Sequence, residues 1–203
     1  MPSTRSKTGR RNSRGDRTRE RLLSAAVTLL EEGGYAAASV AAITERAGVA
    51  AGALYRHFPS KAELFVEVFR TMAEDALAHL REASGVSGTA ADKLDAIVRE
   101  YTSYSLNQPR LAWALGYEPV DPRVDAERLA YRQTYRERLA ELLRRGIEAG
   151  ELPAQDAELT AASLIGAISE GLVGPLSPVR DERVSTEETI AAISAFCRRA
   201  VGA

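Results

Sequence analysis

Apolar residues recur every three or four positions along the chain from about residue 17 to the C-terminus. This is the spacing of one face of an α-helix, whereas the alternation of apolar and polar residues that marks a half-buried strand is absent. The pattern therefore predicts an all-α protein. The predicted helices cover about residues 17–32, 40–47, 51–57, 60–82, 90–106, a short segment around Trp113, 122–149, 157–173 and 185–201.

Capping residues mark where these helices begin and end. The side chains of Ser and Asp accept hydrogen bonds from the free amides of a first turn, while Gly and Pro end a helix. Ser60 with Glu63, and Ser185 with Glu188, form the Ser-x-x-Glu pattern of a capping box. Further boundaries are expected at the N-caps Asp16, Ser39, Asp121 and Asp156 and at the breaks Gly33-Gly34, Gly48, Pro59, Asn107-Gln108-Pro109, Gly150 and Pro175.

Residues 39–58 combine two short helices with a turn at Gly48. A helix-turn-helix needs a small residue in this turn, apolar contacts between the two helices, and a second helix that can enter the major groove. The second helix opens with small residues from Ala50 to Ala53, so its backbone can approach bases closely. The segment predicts a helix-turn-helix that binds DNA.

The charge distribution agrees with this prediction. Residues 1–61 contain eleven Lys and Arg against five Asp and Glu, a net charge of +6, and the remaining residues carry −7. Such asymmetry is expected when only one part of a protein meets a polyanion. The predicted organisation is a disordered basic arm at 1–15, a DNA-binding domain at 16–62, and a helical effector-binding and dimerisation domain at 63–203.

The residues that follow one family pattern are Ala26, Gly34-Tyr35, Ser39-Val40, Ile43, Ala47-Gly48-Val49, Gly52, Leu54-Tyr55, His57-Phe58 and Ser60-Lys61. Together they resemble the signature of the tetracycline-repressor-like (TetR) family of transcriptional regulators. The resemblance covers about residues 17–65. The helices at about 66–203 match the family's all-helical ligand domain in general layout.

The resemblance implies DNA-binding roles for individual residues. Ser39, Tyr55 and His57 would contact phosphates, and Lys61 would do so where the dipole of the fourth helix favours an anion. Gly52 and its neighbours would lie against bases. The full set of expected DNA-binding residues is Ser39, Thr44, Arg46, Ala50, Ala51, Gly52, Tyr55, Arg56, His57 and Lys61.

Some of these roles have alternatives. Family members often carry a polar or charged side chain at the position of Ala51, so base specificity here needs another source. Thr44, Arg46 and the basic arm, which could enter the minor groove, are the candidates. Tyr55 could instead be a core residue, and His57 an exposed histidine without a role.

Aromatic and polar side chains gather in the middle helices. In a helical domain such residues can line an apolar cavity with a few polar groups, and the resemblance implies a small-molecule site there. The alternative is that they are ordinary core aromatics with hydroxyls at the surface. The candidates are Met72, Tyr101, Tyr104, Trp113, Tyr117, Glu118, Tyr131 and Tyr135.

Small residues line one side of the penultimate helix, which allows two helices to pack closely. With the last helix it could form a four-helix interface in a two-fold homodimer. Two recognition helices ~34–36 Å apart would then meet successive turns of the major groove. The interface candidates are Ala162, Gly166, Ala167, Glu170, Gly171, Ile190, Ile193 and Phe196.

Enzymatic motifs are missing from the sequence, which has no Gly-rich phosphate loop, metal-ligand spacing or nucleophile elbow. We therefore expect no enzyme, no cofactor and no metal. The single cysteine, Cys197, excludes an internal disulfide and fits a small apolar role in a cytoplasmic protein. Glu31-Glu32 directly follow the first apolar run, which argues against a signal peptide. We expect residues 159–176 to be too polar and too glycine-rich for a membrane span.

The predicted function is a ligand-responsive repressor that binds a palindromic operator as a homodimer. An effector in the second half would favour one of two dimer conformations, and the fourth helix would carry the shift to the recognition helix. A DNA-binding helical protein without a small-molecule effector is the alternative.

Overall fold

The computed structural model describes residues 14–179 and 185–203. This part of the chain contains nine α-helices and no strand, which confirms the all-α prediction. The predicted basic arm falls almost entirely on residues 1–13, outside the described residues. The helices are α1 (Arg14–Ala37), α2 (Val40–Arg46), α3 (Ala53–His57), α4 (Lys61–Ala83), α5 (Ala90–Asn107), α6 (Pro109–Gly116), α7 (Pro122–Glu148), α8 (Ala157–Leu176) and α9 (Thr186–Ala200).

The first helix is longer at both ends than the sequence predicts. It begins at Arg14, so Asp16 lies in its first turn rather than at its N-cap. Gly33 remains helical, and the break comes at Gly34, where φ is 72° and ψ is −169°. Because side chains are strained in this backbone region, the break depends on glycine.

Two other boundaries differ from the predictions. α3 begins at Ala53 because Ala50–Gly52 form a separate turn, in which the Ala53 amide donates to the Ala50 carbonyl at 2.8 Å. α8 continues through Pro175 to Leu176, and the Ser177 amide closes its last turn. Pro175 has no amide hydrogen to donate to the Gly171 carbonyl, and the helix ends one residue after it.

Buried residues form two clusters. The first joins α1–α3 to the first half of α4 and also includes Leu111, Ala114 and Val124 from α6 and α7. The second lies among α5, α7, α8 and α9 and contains Cys197, which is fully buried. Burial raises the pKa of the Cys197 thiol to about 11, as expected for a cysteine in an apolar core.

Candidate functional site

The helix-turn-helix is fixed by capping and by one left-handed residue. The Ser39 hydroxyl oxygen accepts from the Ala42 amide at 3.1 Å and so caps α2. Gly48 turns the chain with φ 60°, and Arg21 donates to its carbonyl at 3.3 Å. These contacts set the angle between α2 and α3.

The apolar residues of this pair point inward and leave one face of α3 free. Ile43, Leu54 and Phe58 are buried between α1, α2 and α4. The opposite face carries Tyr55, whose exposed fraction is 58%, so the core alternative for this tyrosine is wrong. The other exposed residues of this face are Ala50, Ala51, Gly52 and Arg56.

Gly52 is notable because nothing crowds it. A Cβ atom added there would meet no heavy atom within 4 Å, and the backbone has an ordinary helical φ of −72°. The fold therefore does not require glycine at this position. Arg56, beside it, forms no ion pair with the described residues. The open space at Gly52 and the guanidinium of Arg56, unpaired within the described residues, suit a surface that binds another molecule.

Thr44 and Arg46, the two residues of α2 proposed to read bases, differ in their exposure to solvent. Thr44 is 3% exposed, and its hydroxyl donates to the Val40 and Ala41 carbonyls. The prediction that Thr44 contacts DNA is therefore wrong, because its buried hydroxyl already donates to backbone carbonyls within α2. Arg46 is exposed, but both terminal nitrogens of its guanidinium bind Glu32, at 2.5 and 2.7 Å.

His57 and Lys61 lie at the junction of α3 and α4. His57 is half-buried at the end of α3. Lys61 begins α4, with its Nζ 4.3 Å from the centre of the Tyr35 ring and 5.4 Å from that of Phe65. Burial lowers the pKa of Lys61. Its ammonium thus packs on aromatic faces at the N-terminus of α4, which the Ser60 hydroxyl caps by accepting from the Glu63 amide.

A cavity of about 710 Å³ lies in the second half of the chain, among α4, α5, α7 and α8. Its volume falls in the range of small-molecule sites. The apolar wall comes mainly from Leu77, Leu80, Ile97, Val98, Leu139, Leu142, Ile165 and Ile168.

Two of the eight predicted effector residues line this cavity. They are Tyr101 and Tyr135, and burial raises the pKa of both hydroxyls. Their rings meet edge to face with centres 6.1 Å apart. The cavity therefore has a phenolic patch within its apolar wall.

The other six predicted residues do not line it, because each is engaged elsewhere. Met72 packs against the first cluster, and Tyr131 meets Phe69 at the α4–α7 contact. Tyr104 donates to Asp75 at 2.9 Å on the outer side of α4. These three belong to the contacts that hold α4.

The remaining three lie around α6. Trp113 stacks on Tyr117, whose hydroxyl donates to the Ser169 carbonyl at 2.7 Å. Burial raises the pKa of Tyr117 to about 12. Glu118 accepts from the Tyr35 amide at 2.6 Å and so joins α6 to the DNA-binding part. Sequence spacing could not separate these roles, because all eight lie on neighbouring helices.

Sequence reasoning missed the charged residues of the cavity wall. Five cations line it against three carboxylates, a net positive lining. Arg145 is paired with Glu141 at 2.7 Å, and Glu151 accepts from the Ala90 amide. The other four cations form no ion pair with the described carboxylates and are Arg81, Lys93, Arg132 and Arg138.

The predicted dimer candidates lie on α8 and α9. The expectation that this segment is too polar for a membrane span is not met, because by length and composition α8 is apolar enough to cross a membrane, which for one helix is weak evidence. Only 28% of its apolar window is buried within the protein. Gly166 is exposed, and a Cβ atom added there would meet no heavy atom within 4 Å. A Cβ atom added at Gly171 would come within 3.4 Å of the Ile193 side chain, and Phe196 is 49% exposed. The remaining candidates, Ala162, Ala167, Glu170 and Ile190, are likewise half-buried or exposed.

Two family models match the chain. The model for bacterial regulatory proteins of the tetR family matches residues 22–68. The model for a tetracyclin repressor-like C-terminal domain matches residues 87–170. Together they cover both the helix-turn-helix and most of the helices around the cavity.

Similar proteins and solved structures agree with these matches. The transcriptional repressor KstR of Mycolicibacterium smegmatis is 35% identical over 97 residues, 48% of each chain. KstR2 of Rhodococcus jostii is 35% identical over 135 residues, which are 65% of this chain and 64% of KstR2. The chain thus covers less than two thirds of either repressor.

The structure of FadR from Bacillus subtilis in complex with stearoyl-CoA is similar with a TM-score of 0.76 at 21% identity, covering 90% of this chain and 98% of FadR. At this identity the likeness concerns the fold. The two family matches, the helix-turn-helix and the helical second half together lead to one conclusion: the chain belongs to the TetR family of bacterial regulatory proteins.

Proposed function

We propose that the chain is a transcriptional repressor that binds a palindromic operator as a homodimer and is released by a small molecule. The observation that carries the DNA-binding part is the free face of α3, which presents Tyr55 and Arg56 beside uncrowded Gly52. This face lies in the part of the sequence with a net charge of +6. Its placement suits the major groove, and the cytoplasm is where such a protein would act.

The homodimer is supported by the exposed apolar surface of α8 together with α9. An apolar helix that is mostly uncovered in one chain is stabilised by burial against another copy. Gly166 and Gly171 would let two α8 helices approach closely. A two-fold pair would then present two copies of α3 to one operator.

The effector is proposed to be an anionic amphipathic molecule. The cavity combines an apolar wall with four cations that lack a carboxylate partner, so an apolar body would lie inside and an anionic group near Arg81, Lys93 or Arg138. FadR, which shares the fold, binds stearoyl-CoA, a molecule of this class. The cavity favours this function over the alternative of a DNA-binding protein without an effector.

Release of operator DNA on ligand binding would act through α4, because this helix belongs to both the DNA-binding core and the cavity wall. Its first turns carry Leu64 and Phe65 in the DNA-binding core, and its later turns carry Leu77 and Leu80 in the cavity wall. A ligand that moves the later turns would shift α3 and change the spacing of the two recognition helices. By linkage, operator DNA must weaken ligand binding by the same factor.

Titration calorimetry with stearoyl-CoA, stearate and free CoA tests the effector. We expect stearoyl-CoA to bind, and Arg81→Glu to weaken it at least tenfold because the lining loses positive charge. Arg99→Glu, a matched charge reversal on α5 outside the cavity, should bind like the wild type. The proposed effector class would be contradicted if the wild type, Arg81→Glu and Arg99→Glu bound stearoyl-CoA equally, or if neither stearoyl-CoA nor stearate bound. Either result would leave the DNA-binding proposal standing.

A further inference from the structure

The junction between α1 and α6 is built around one carboxylate. The backbone breaks at Gly34, and the next amide, that of Tyr35, donates to Glu118 at 2.6 Å. A Cβ atom at Gly34 would overlap the same carboxylate. Glu118 therefore occupies the space that the absent side chain leaves, and it holds the free amide at the kink.

One arginine, Arg128, holds the C-terminal end of α6, two residues before Glu118. Arg128 donates to the carbonyls of Leu115 at 2.5 Å, Glu118 at 2.9 Å and Ala114 at 3.0 Å. Its side chain is 13% exposed and also pairs with Asp125. The carbonyls at the end of a helix lack partners within the helix, so Arg128 fixes this end to α7.

These contacts form a continuous path from the cavity to α2. Arg132, one turn after Arg128 on α7, lines the cavity, as does Tyr135. At the other end, Tyr35 lies four residues before Ser39, the N-cap of α2. The path therefore consists of the α7 wall, Arg128, the end of α6, Glu118, and the last turn of α1.

We propose that Arg128 and Glu118 are positioning residues that transmit movement of the cavity wall to the helix-turn-helix. The role rests on the proposed function, since it assumes that occupation of the cavity matters for DNA binding. Movement of α7 would pull the α6 carbonyls through Arg128 and change how Glu118 holds the Tyr35 amide. This route runs beside α4 and enters the DNA-binding part through α1.

Other ion pairs between α7 and the DNA-binding part lead to α4 instead. Glu127, the neighbour of Arg128, pairs with Arg70, and Arg123 contacts Glu63. Loss of the Glu127 pair should loosen α4 without affecting the Tyr35 amide. Glu127→Gln is therefore the matched control for a substitution of Arg128.

Hydrogen exchange of the Tyr35 amide, resolved by NMR in the full-length protein without ligand or DNA, tests the path. Glu118→Ala should speed this exchange at least tenfold, whereas Glu118→Gln, which keeps an acceptor oxygen, should remain close to the wild type. Arg128→Ala should also speed it although Arg128 does not touch Tyr35. If Arg128→Ala does not fold, Arg128→Lys, which retains charge and packing, replaces it in this measurement and should also speed the exchange of the Tyr35 amide.

The path is overturned if Arg128 variants that fold leave Tyr35 exchange unchanged, or if Glu127→Gln speeds it equally. Affinity for a DNA duplex bound by the wild type gives a second measure, with about 3- to 30-fold changes expected for Glu118→Ala and Arg128→Lys and none for Glu127→Gln. If the protein bound no DNA, the proposed function would fail, while the exchange measurement would still decide the path.

Discussion

Gly34 and Gly52 lie on either side of α2, but only one of them is required by the fold. Gly34 has φ 72° and ψ −169° and abuts Glu118, whereas Gly52 has a helical backbone and open space. Gly34→Ala should therefore lower the free energy of unfolding by about 1–3 kcal/mol or more. Gly52→Ala should raise it by about 0.4–1 kcal/mol, because alanine restricts the unfolded chain.

Urea unfolding measures both changes, and DNA affinity separates them further. Gly52→Ala should weaken operator binding despite the more stable fold, because the added methyl group lies on the free face of α3. A variant that is more stable and binds operator as tightly as the wild type would show that Gly52 does not approach the bases.

Tyr55 and Lys61 are proposed to bind phosphates, so their loss should weaken operator and random duplex by the same factor. Lys61→Ala should also lower the slope of log affinity against log salt by about 1, because one fewer counterion is released. Tyr55→Phe should leave this slope unchanged because it removes no charge. Fluorescence anisotropy over a salt series provides the measurement, and full affinity in the double variant would rule out both contacts.

At the scale of helices, the sequence predicted existence and order well because caps and periodicity are local. Ser39, Asp121 and Asp156 all accept amides at the expected helix starts. The capping box of Thr89 and Asp92 was overlooked, although its Thr-x-x-Asp spacing is visible in the sequence. Local signals do not show distant partners: the break at Gly33-Gly34 was expected from the sequence, but the Glu118 carboxylate that holds it was not.

The functional surfaces were less predictable, because they also depend on contacts between residues that are distant in the sequence. Which middle-helix aromatics face the cavity depends on helix rotation, so Tyr101 and Tyr135 could not be told from Tyr104 or Tyr131 by spacing. The ion pair of Arg46 with Glu32 and the internal hydrogen bonds of Thr44 require tertiary or backbone geometry. The free face of α3 was predictable, because it is the complement of a clear apolar pattern.

The proposed dimer interface lies on α8, and a charge on the exposed face with small residues tests it. Gly166→Glu should give a monomer in analytical ultracentrifugation, because a buried unpaired carboxylate would be costly in the interface. Ala126→Glu, at an exposed position on α7, is the matched control and should remain dimeric. If Gly166→Glu were as dimeric as the control, α8 would not form the interface.

In the proposed symmetric dimer, each whole chain has a DNA-binding end and an effector-binding end. The net charge of +6 on residues 1–61 and −7 on the remainder would keep the acidic part away from phosphate and so orient the protein on DNA. Two copies of α3 related by a two-fold axis require an operator with the same symmetry.

Selection of bound sequences from a random pool of DNA duplexes tests whether the chain binds a palindromic operator as a homodimer. We expect enrichment of one palindromic sequence whose half-site centres lie about 10 base pairs apart, or a multiple of that distance. Enrichment of no sequence, or of a single half-site without symmetry, would contradict it.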